Sequence, residues 1–296
     1  AALGLFPRDP VLHRLRLRLL EEAGETQAVG EQLAAMIGAF PEEPAWRRAR
    51  AAWAMGAGRP DVAEAELRAL AEAAPGETEP VAALVAHVRA TRGEAAARAE
   101  LERLIAAAGE PLPLELLLAR YDLETGQRGR AVALLETLSA REGTAADEAR
   151  LALARIRAAE GDLAALDALV AEVLARDPKN VAALGLRIAR LIDRGRLEEA
   201  LGAVRAALAE APSDIALLLL EARIQERIGN PGLAGDRLAR AVRLSDYAPA
   251  TVERYVALLG RMGRPEAAAT VLSEAVLRHP RSARLLDMLA SARVAL

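Results

Sequence analysis

Apolar residues recur along this chain in short stripes at helical spacing, separated by polar turns at regular intervals. Between Val181 and Pro212, Leu184, Ile188 and Leu191 follow at steps of four and three, and after Gly195 a second stripe runs through Leu197, Leu201, Val204 and Leu208. The pattern predicts two helices joined by a tight turn at Gly195, with Pro212 closing the unit. Neither helix is long enough to hold together alone in water, and each has one apolar face that needs a partner. Such a hairpin is stable only between neighbours.

The neighbours are visible as a period. Gly161, Gly195, Gly229 and Gly263 follow one another at steps of 34, and the same period relates Ala200, Ala234 and Ala268, and Ala207, Ala241 and Ala275. Pro178, Pro212 and Pro280 close three units, and Asp246 takes that slot in a fourth. Towards the N-terminus the turn glycines are Gly126, Gly93, Gly58 and Gly24, at steps of 35, 33, 35 and 34, so that eight units are visible. A fixed period of about 20–50 residues with two helices per unit predicts a solenoid in which each repeat touches only its neighbours. On this glycine spacing repeat three reads as one residue short after Gly93, and repeat four carries one extra residue around Gly143–Ala146. The breaker-rich segments Pro75–Pro80 and Gly109–Pro113 make the middle region a candidate bend or joint, with loop drift as the plain alternative.

A helix–turn–helix of this period, with a small residue inside the first helix, Gly at the turn, Ala early in the second helix and Pro at its end, resembles the tetratricopeptide repeat. The mid-first-helix position reads Leu17, Ala51, Ala86, Ala119, Ala154, Ile188, Ala222 and Val256, and the early second-helix position Val29, Ala63, Ala97, Ala131, Leu166, Ala200, Ala234 and Ala268. Asp177-Pro178-Lys179-Asn180 is close to the family's turn between repeats. The resemblance implies an all-α, right-handed α-solenoid of tandem helix–turn–helix repeats. Residues 1–9 would then be the end of a preceding repeat, and 10–280 would hold eight repeats (about 10–43, 44–78, 79–111, 112–146, 147–180, 181–214, 215–248 and 249–282). Residues 283–296 would form a capping helix or the first helix of a ninth repeat. Because Leu5–Pro10 parallels Ala39–Pro44, and Leu286, Leu289 and Val294 put an apolar stripe on the last helix, the expectation is a piece of a longer protein cut inside the array.

Composition narrows the class further. Aromatic residues make up 2% of the chain, so the core is expected to be Leu, Ala and Val. Uncharged apolar runs such as the six residues of Ile215–Leu220 fall well short of the roughly 18 that suggest a membrane-spanning helix. A formal charge of −3 exerts no whole-molecule pull towards nucleic acid. With no cysteine there is neither disulfide nor thiolate metal site, a composition compatible with periplasm, the preferred expectation, and with cytoplasm. Lys179 is the single lysine among 39 basic residues, a bias that reads as a GC-rich bacterial genome before it reads as arginine chemistry.

No catalytic constellation is present. There is no Gly-x-Ser-x-Gly elbow, His-Glu-x-x-His pair or phosphate-binding loop, and His13, His87 and His279 lie in different repeats, so neither an enzymatic role nor a cofactor or metal is expected. Trp46 and Trp53, at a spacing of seven, read as core packing, with a ligand platform as the alternative. The resemblance implies that the first helices line a concave groove through their second, fifth and ninth positions. The ninth positions hold Arg18, Ala52, His87, Arg120, Arg155, Ala189, Arg223 and Ala257, and the fifth add Arg14 and Arg48, which together predict a basic seam. Glu21 and Glu22 would pair with Arg18, Glu124 with Arg120 and Glu226 with Arg223, whereas Arg14, Arg48, His87 and Arg155 lack such a partner in their own helix. Within Val181–Pro212, Gly185 and Ala189 face the groove. Gly185 reads either as close packing against the next helix or as the floor, with Ala189, of a shallow pocket flanked by Arg155 and Arg223.

The expected function is that of a protein–protein interaction scaffold taking a partner in the groove, where the basic seam suits an acidic one. The resemblance extends to periplasmic scaffolds of bacterial exopolysaccharide synthesis and export. Direct binding of an anionic polysaccharide and a regulatory array attached to a catalytic domain are the alternatives.

Overall fold

Helix limits in this chain are set by a few residues that fix backbone geometry. Asp9, Asn180 and Asp214 accept hydrogen bonds from the otherwise free N–H groups of Val11, Ala183 and Leu217 at 2.8, 3.0 and 2.8 Å. Pro44, Pro60, Pro231, Pro249 and Pro265 occupy first helical positions, where a missing N–H costs nothing. Within a pair the chain reverses through a left-handed glycine: Gly24, Gly58, Gly126, Gly161, Gly195, Gly229 and Gly263 have φ between 66° and 91°.

The computed structural model describes residues 2–294, with the side chains of all but residues 2, 144 and 145. Among these residues every regular element is a helix. The first compact unit, Ala1–Ala149, holds α1 (Ala2–Leu5), α2 (Pro10–Glu22), α3 (Thr26–Ala39), α4 (Pro44–Gly56), α5 (Pro60–Ala73), α6 (Thr78–Arg92), α7 (Glu94–Ala107), α8 (Leu112–Glu124) and α9 (Arg128–Ser139). The division to the second unit, Arg150–Leu296, falls within α10 (Thr144–Glu160). The second unit continues with α11 (Leu163–Arg176), α12 (Val181–Asp193), α13 (Leu197–Glu210), α14 (Ile215–Ile228), α15 (Pro231–Leu244), α16 (Pro249–Arg261), α17 (Pro265–Arg278) and α18 (Ala283–Val294). Within each unit a helix packs chiefly on the helices before and after it in the chain, the arrangement of an all-α solenoid of helical repeats. The parts of the expected end segments at residues 1, 295 and 296 lie outside the described residues.

The second helices keep time better than the glycines do. They start at Thr26, Pro60, Glu94, Arg128, Leu163, Leu197, Pro231 and Pro265, so every step is 34 except the 35 between Arg128 and Leu163. Repeat three is therefore not short. Its first helix starts at Thr78, one full period after Pro44, and Gly93 (φ 88°) ends α6 and begins α7 one position later than the period would place a turn glycine. The corrected phase puts Val85, buried, in line with buried Ala51 and Ala119, and leaves Ala86 exposed.

That phase exposes a repeating device in the first unit. Trp53 Nε1 donates to the carbonyl of Thr26 at 2.7 Å, His87 Nε2 lies 2.9 Å from that of Pro60, and Tyr121 Oη donates to that of Glu94 at 2.9 Å. Donors and acceptors both recur with the period of the array, and every acceptor is the first residue of the preceding second helix. A polar group that would be costly to bury bare thus becomes a clamp between successive pairs. Around it a continuous core forms from Leu67, Leu84, Val88, Leu101, Leu104, Leu114 and Leu117. Trp53 is spent on this packing: a Cβ on Gly30 would fall 2.2 Å from its indole ring, so the ring rests on bare backbone.

Ion pairs add cross-links between pairs of helices. Arg98 holds fully buried Asp122 through two nitrogens, at 2.9 and 3.2 Å, and Arg68 and Arg103 converge on Glu100 at 3.2 and 2.9 Å. Burial alone would raise the Glu100 pKa, but the hydrogen bonds from Arg103 and Arg68 outweigh it and hold the carboxyl below its usual range. A group whose pKa is lower folded than unfolded contributes stability that is complete above the unfolded value and lost as pH falls through the folded one.

Two outcomes follow. Gly30→Ala should cost about 1–3 kcal/mol in denaturant unfolding, since the indole must leave both Gly30 and its carbonyl acceptor. Glu100→Gln should be less stable than the parent at about pH 7 and approach it at about pH 3. A gap between the two curves that stays constant across this range would contradict the charge assignment.

Candidate functional site

The concavity that stands out lies wholly within the second unit, on the face built by the first helices of successive pairs. It measures ≈870 Å³ and is lined by Arg155 of α10, Val181, Ala182, Gly185 and Leu186 of α12, and Ala216, Leu219, Leu220, Arg223 and Glu226 of α14, with Arg254, Ala257 and Arg261 of α16 at its far side. Small residues make the space. Ala182, Gly185, Ala216 and Ala257 withdraw side-chain volume from the face while the leucines supply an apolar floor. The size is that of a typical ligand cleft.

Its charges are unevenly satisfied. Arg261 is paired with Glu226, and Arg223 Nη2 lies 2.9 Å from Asp193. Asp214 is occupied as the cap of α14. Arg155 and Arg254 are exposed and make no ion pair or hydrogen bond among the described residues. The cavity therefore combines an apolar floor with two guanidiniums whose donors are free for a carboxylate or another oxyanion.

The sequence-predicted site residues separate into three groups. Arg155, Gly185 and Arg223 are brought together around the cavity, whereas Ala189 is half-buried and not on its lining. In the first unit, Arg48 is exposed with Glu79 at 3.9 Å, Arg120 pairs with Glu124 at 3.7 Å, and Arg14 donates from Nε to the carbonyl of Pro10 at 3.2 Å. Arg18 is exposed, but neither Glu21 nor Glu22 bonds it among the described residues. His87 does not face a groove: it is buried and engaged with Pro60, because the slipped phase had placed it one position too far round its helix. The expected Arg223–Glu226 pair is likewise replaced, since Glu226 turns to Arg261 of the next repeat and Arg223 to Asp193 of the previous one. Sequence reasoning missed Arg254 and Arg261, at the sixth and thirteenth positions of α16. Following the arginines of all helix faces from repeat to repeat, instead of three positions alone, would have found them.

Gly185 has no close neighbour. A Cβ built on it would meet only Leu220 Cδ1, at 3.9 Å, so close packing does not explain the glycine and an open floor does. Among the described residues no group of three or more His, Cys, Asp or Glu side chains is placed to hold a metal, and no helix is long and apolar enough to cross a membrane.

No protein-family model matches the chain, and no curated protein is significantly similar to it. Solved structures are. A tetratricopeptide repeat protein from Parabacteroides merdae aligns over 84% of this chain and 98% of its own, with a TM-score of 0.55 at 15% identity. The crystal structure of the APC/C hetero-tetramer Cut9–Hcn1 aligns over 97% of this chain with a TM-score of 0.52 at 15% identity, and the match spans 56% of that chain. The present chain thus covers little more than half the length of the Cut9–Hcn1 chain. The likeness is one of fold, that of tetratricopeptide-like helical repeats.

Gly185→Ala should stabilise the chain by about 0.5–1 kcal/mol through helix propensity, because the methyl group enters open space. A loss of stability in thermal or urea unfolding would show that the floor is packed after all.

Proposed function

We propose that this chain is a non-enzymatic protein–protein interaction scaffold and that the second-unit cavity holds a peptide segment of its partner. The observation that carries the reading is the pairing of a leucine floor with the unpartnered guanidiniums of Arg155 and Arg254. A segment that sets an aliphatic or aromatic side chain on Leu186, Leu219 and Leu220 brings apolar area out of water. Flanking carboxylates then meet the free donors, which supply orientation and steer approach. The tetratricopeptide-like fold supports a protein partner in the same way, as a rigid frame that presents several helices to one ligand.

An anionic polysaccharide would satisfy the arginines but not the floor. A sugar chain offers hydroxyl groups that need polar partners, and the face between the guanidiniums is largely Leu and Ala. In a setting of exopolysaccharide synthesis or export, the cavity would on this reading hold a protein component of the machinery.

The test is fluorescence polarisation with short peptides in which Asp or Glu flank Leu or Phe, alongside scrambled basic peptides and alginate as a polyanion. The acidic–aliphatic peptides should bind, and Arg155→Glu and Arg254→Glu should each weaken them at least about tenfold. Arg14→Glu in the first unit should change nothing. Equal binding by the parent and both variants would remove the cavity as the site, and binding of alginate in preference to the peptides would favour the sugar.

A further inference from the structure

The opposite side of α14 carries a second concavity, of ≈370 Å³, between α13 and α15. Its floor includes Leu218 and Glu221, and three arginines line it: Arg205 from α13, and Arg237 and Arg240 from α15. Glu221 is 2% exposed and accepts from Arg237 Nε at 2.6 Å. Arg240 donates through Nη2 to the carbonyl of Pro212 at 2.8 Å. Arg205 is exposed and makes no hydrogen bond or ion pair among the described residues. Three cations therefore share one concavity with a single carboxylate, and that carboxylate is already engaged.

The neighbouring repeats do without them. One period away, Arg205 is matched by Ala171 and Ala239, Arg237 by Ala203 and Val271, and Arg240 by Ala206 and Glu274. The adjacent second helices stack at those places without any guanidinium. Arg237 offsets buried Glu221 and Arg240 holds the Pro212 carbonyl, but Arg205 adds a further like charge to the concavity with no hydrogen bond or ion pair of its own among the described residues. A local rule broken without structural return is the mark of a site.

We propose that this outer concavity binds a dianionic phosphate group, free or as a monoester. Phosphate matches the arginines in two respects. Its charge is close to the excess of two left after Glu221 offsets one arginine. Its several acceptor oxygens can take donors from more than one guanidinium fork at once, where a single carboxylate offers two oxygens. Leu208, Ala209 and Pro212 form an apolar rim that leaves room for the carbon substituent of an ester. The site is distinct from the leucine-floored cavity, and the two can be occupied independently.

The test titrates the whole chain with inorganic phosphate and with O-phosphoserine, against sodium chloride at matched ionic strength, by calorimetry and by the rise in melting temperature. Saturable binding is expected for phosphate and not for chloride. The double variant Arg205→Ala/Arg240→Ala should lose it by at least about tenfold, while Arg155→Ala/Arg254→Ala keeps it. Without phosphate, Arg205→Ala should melt at or above the parent temperature, which a structural arginine would not do. Tighter binding of O-phosphoserine assigns the site to a phosphate ester, and tighter binding of the inorganic ion assigns it to free phosphate. No saturable binding, an equal response to chloride, or full binding in the Arg205/Arg240 double variant would each overturn the proposal.

Discussion

A helical hairpin of this length cannot bury its own apolar faces, and everything else in the structure answers that constraint. Within each unit a helix packs chiefly on the one before it and the one after it, so the stripe that faces forward and the stripe that faces back must both be correctly phased. A change of one residue in a first helix rotates its side chains by about 100°. This is why the starts of the second helices keep a step of 34 through most of the chain, and why the one step of 35, between Arg128 and Leu163, coincides with α10, the longest helix. Where the phase holds, equivalent positions meet equivalent surroundings and can be compared from repeat to repeat. In α4, α6 and α8 they are donors that reach a carbonyl, in α12 Arg190 pairs instead with Asp167, and in α14 and α16 Ile224 and Leu258 fill the matching places with hydrocarbon.

The repeat architecture was legible because its signal is redundant: glycine, alanine and proline each mark the same period. Phase within a repeat rests on less. Taking Gly93 as the clock moved α6 by one residue and turned His87, a buried clamp, into a groove-facing base. The glycine follows the needs of the turn, whereas the buried stripe of Val81, Leu84, Val85 and Val88 follows the core, and the stripe is the better clock. Ion pairs were less legible still. Spacing within one helix suggested Glu226 for Arg223, but stacking offers each arginine partners a whole repeat away, and those were taken.

The candidate site was partly visible for the opposite reason. A glycine inside a helix is a local cost, so Gly185 called for a tertiary explanation, and the arginines one period either side of Ala189, Arg155 and Arg223, flank the same space. Its other half comes from α16, whose Arg254 and Arg261 reach the cavity from positions that no single-helix rule singles out. Helix α14 then serves two surfaces. Leu219, Leu220 and Arg223 face the leucine-floored cavity, and Leu218 and Glu221 face the arginine-lined one. Burial of Leu217, Leu218 and Ile224 keeps this helix fixed while both of its sides remain accessible.

The clamps of Trp53, His87 and Tyr121 all end on a backbone carbonyl, never on a side chain. A carbonyl is present whatever residue carries it, as Thr26, Pro60 and Glu94 illustrate. The side chain of this hydrogen bond is therefore specified on one side of the junction only. Drift in the residue that accepts leaves this hydrogen bond intact, and a duplicated or deleted block one period long brings its own donor to a carbonyl that is already in place. Such grammar lets an array lengthen or shorten by whole units without rewriting the neighbours, a route by which its binding faces can be recombined while its frame persists.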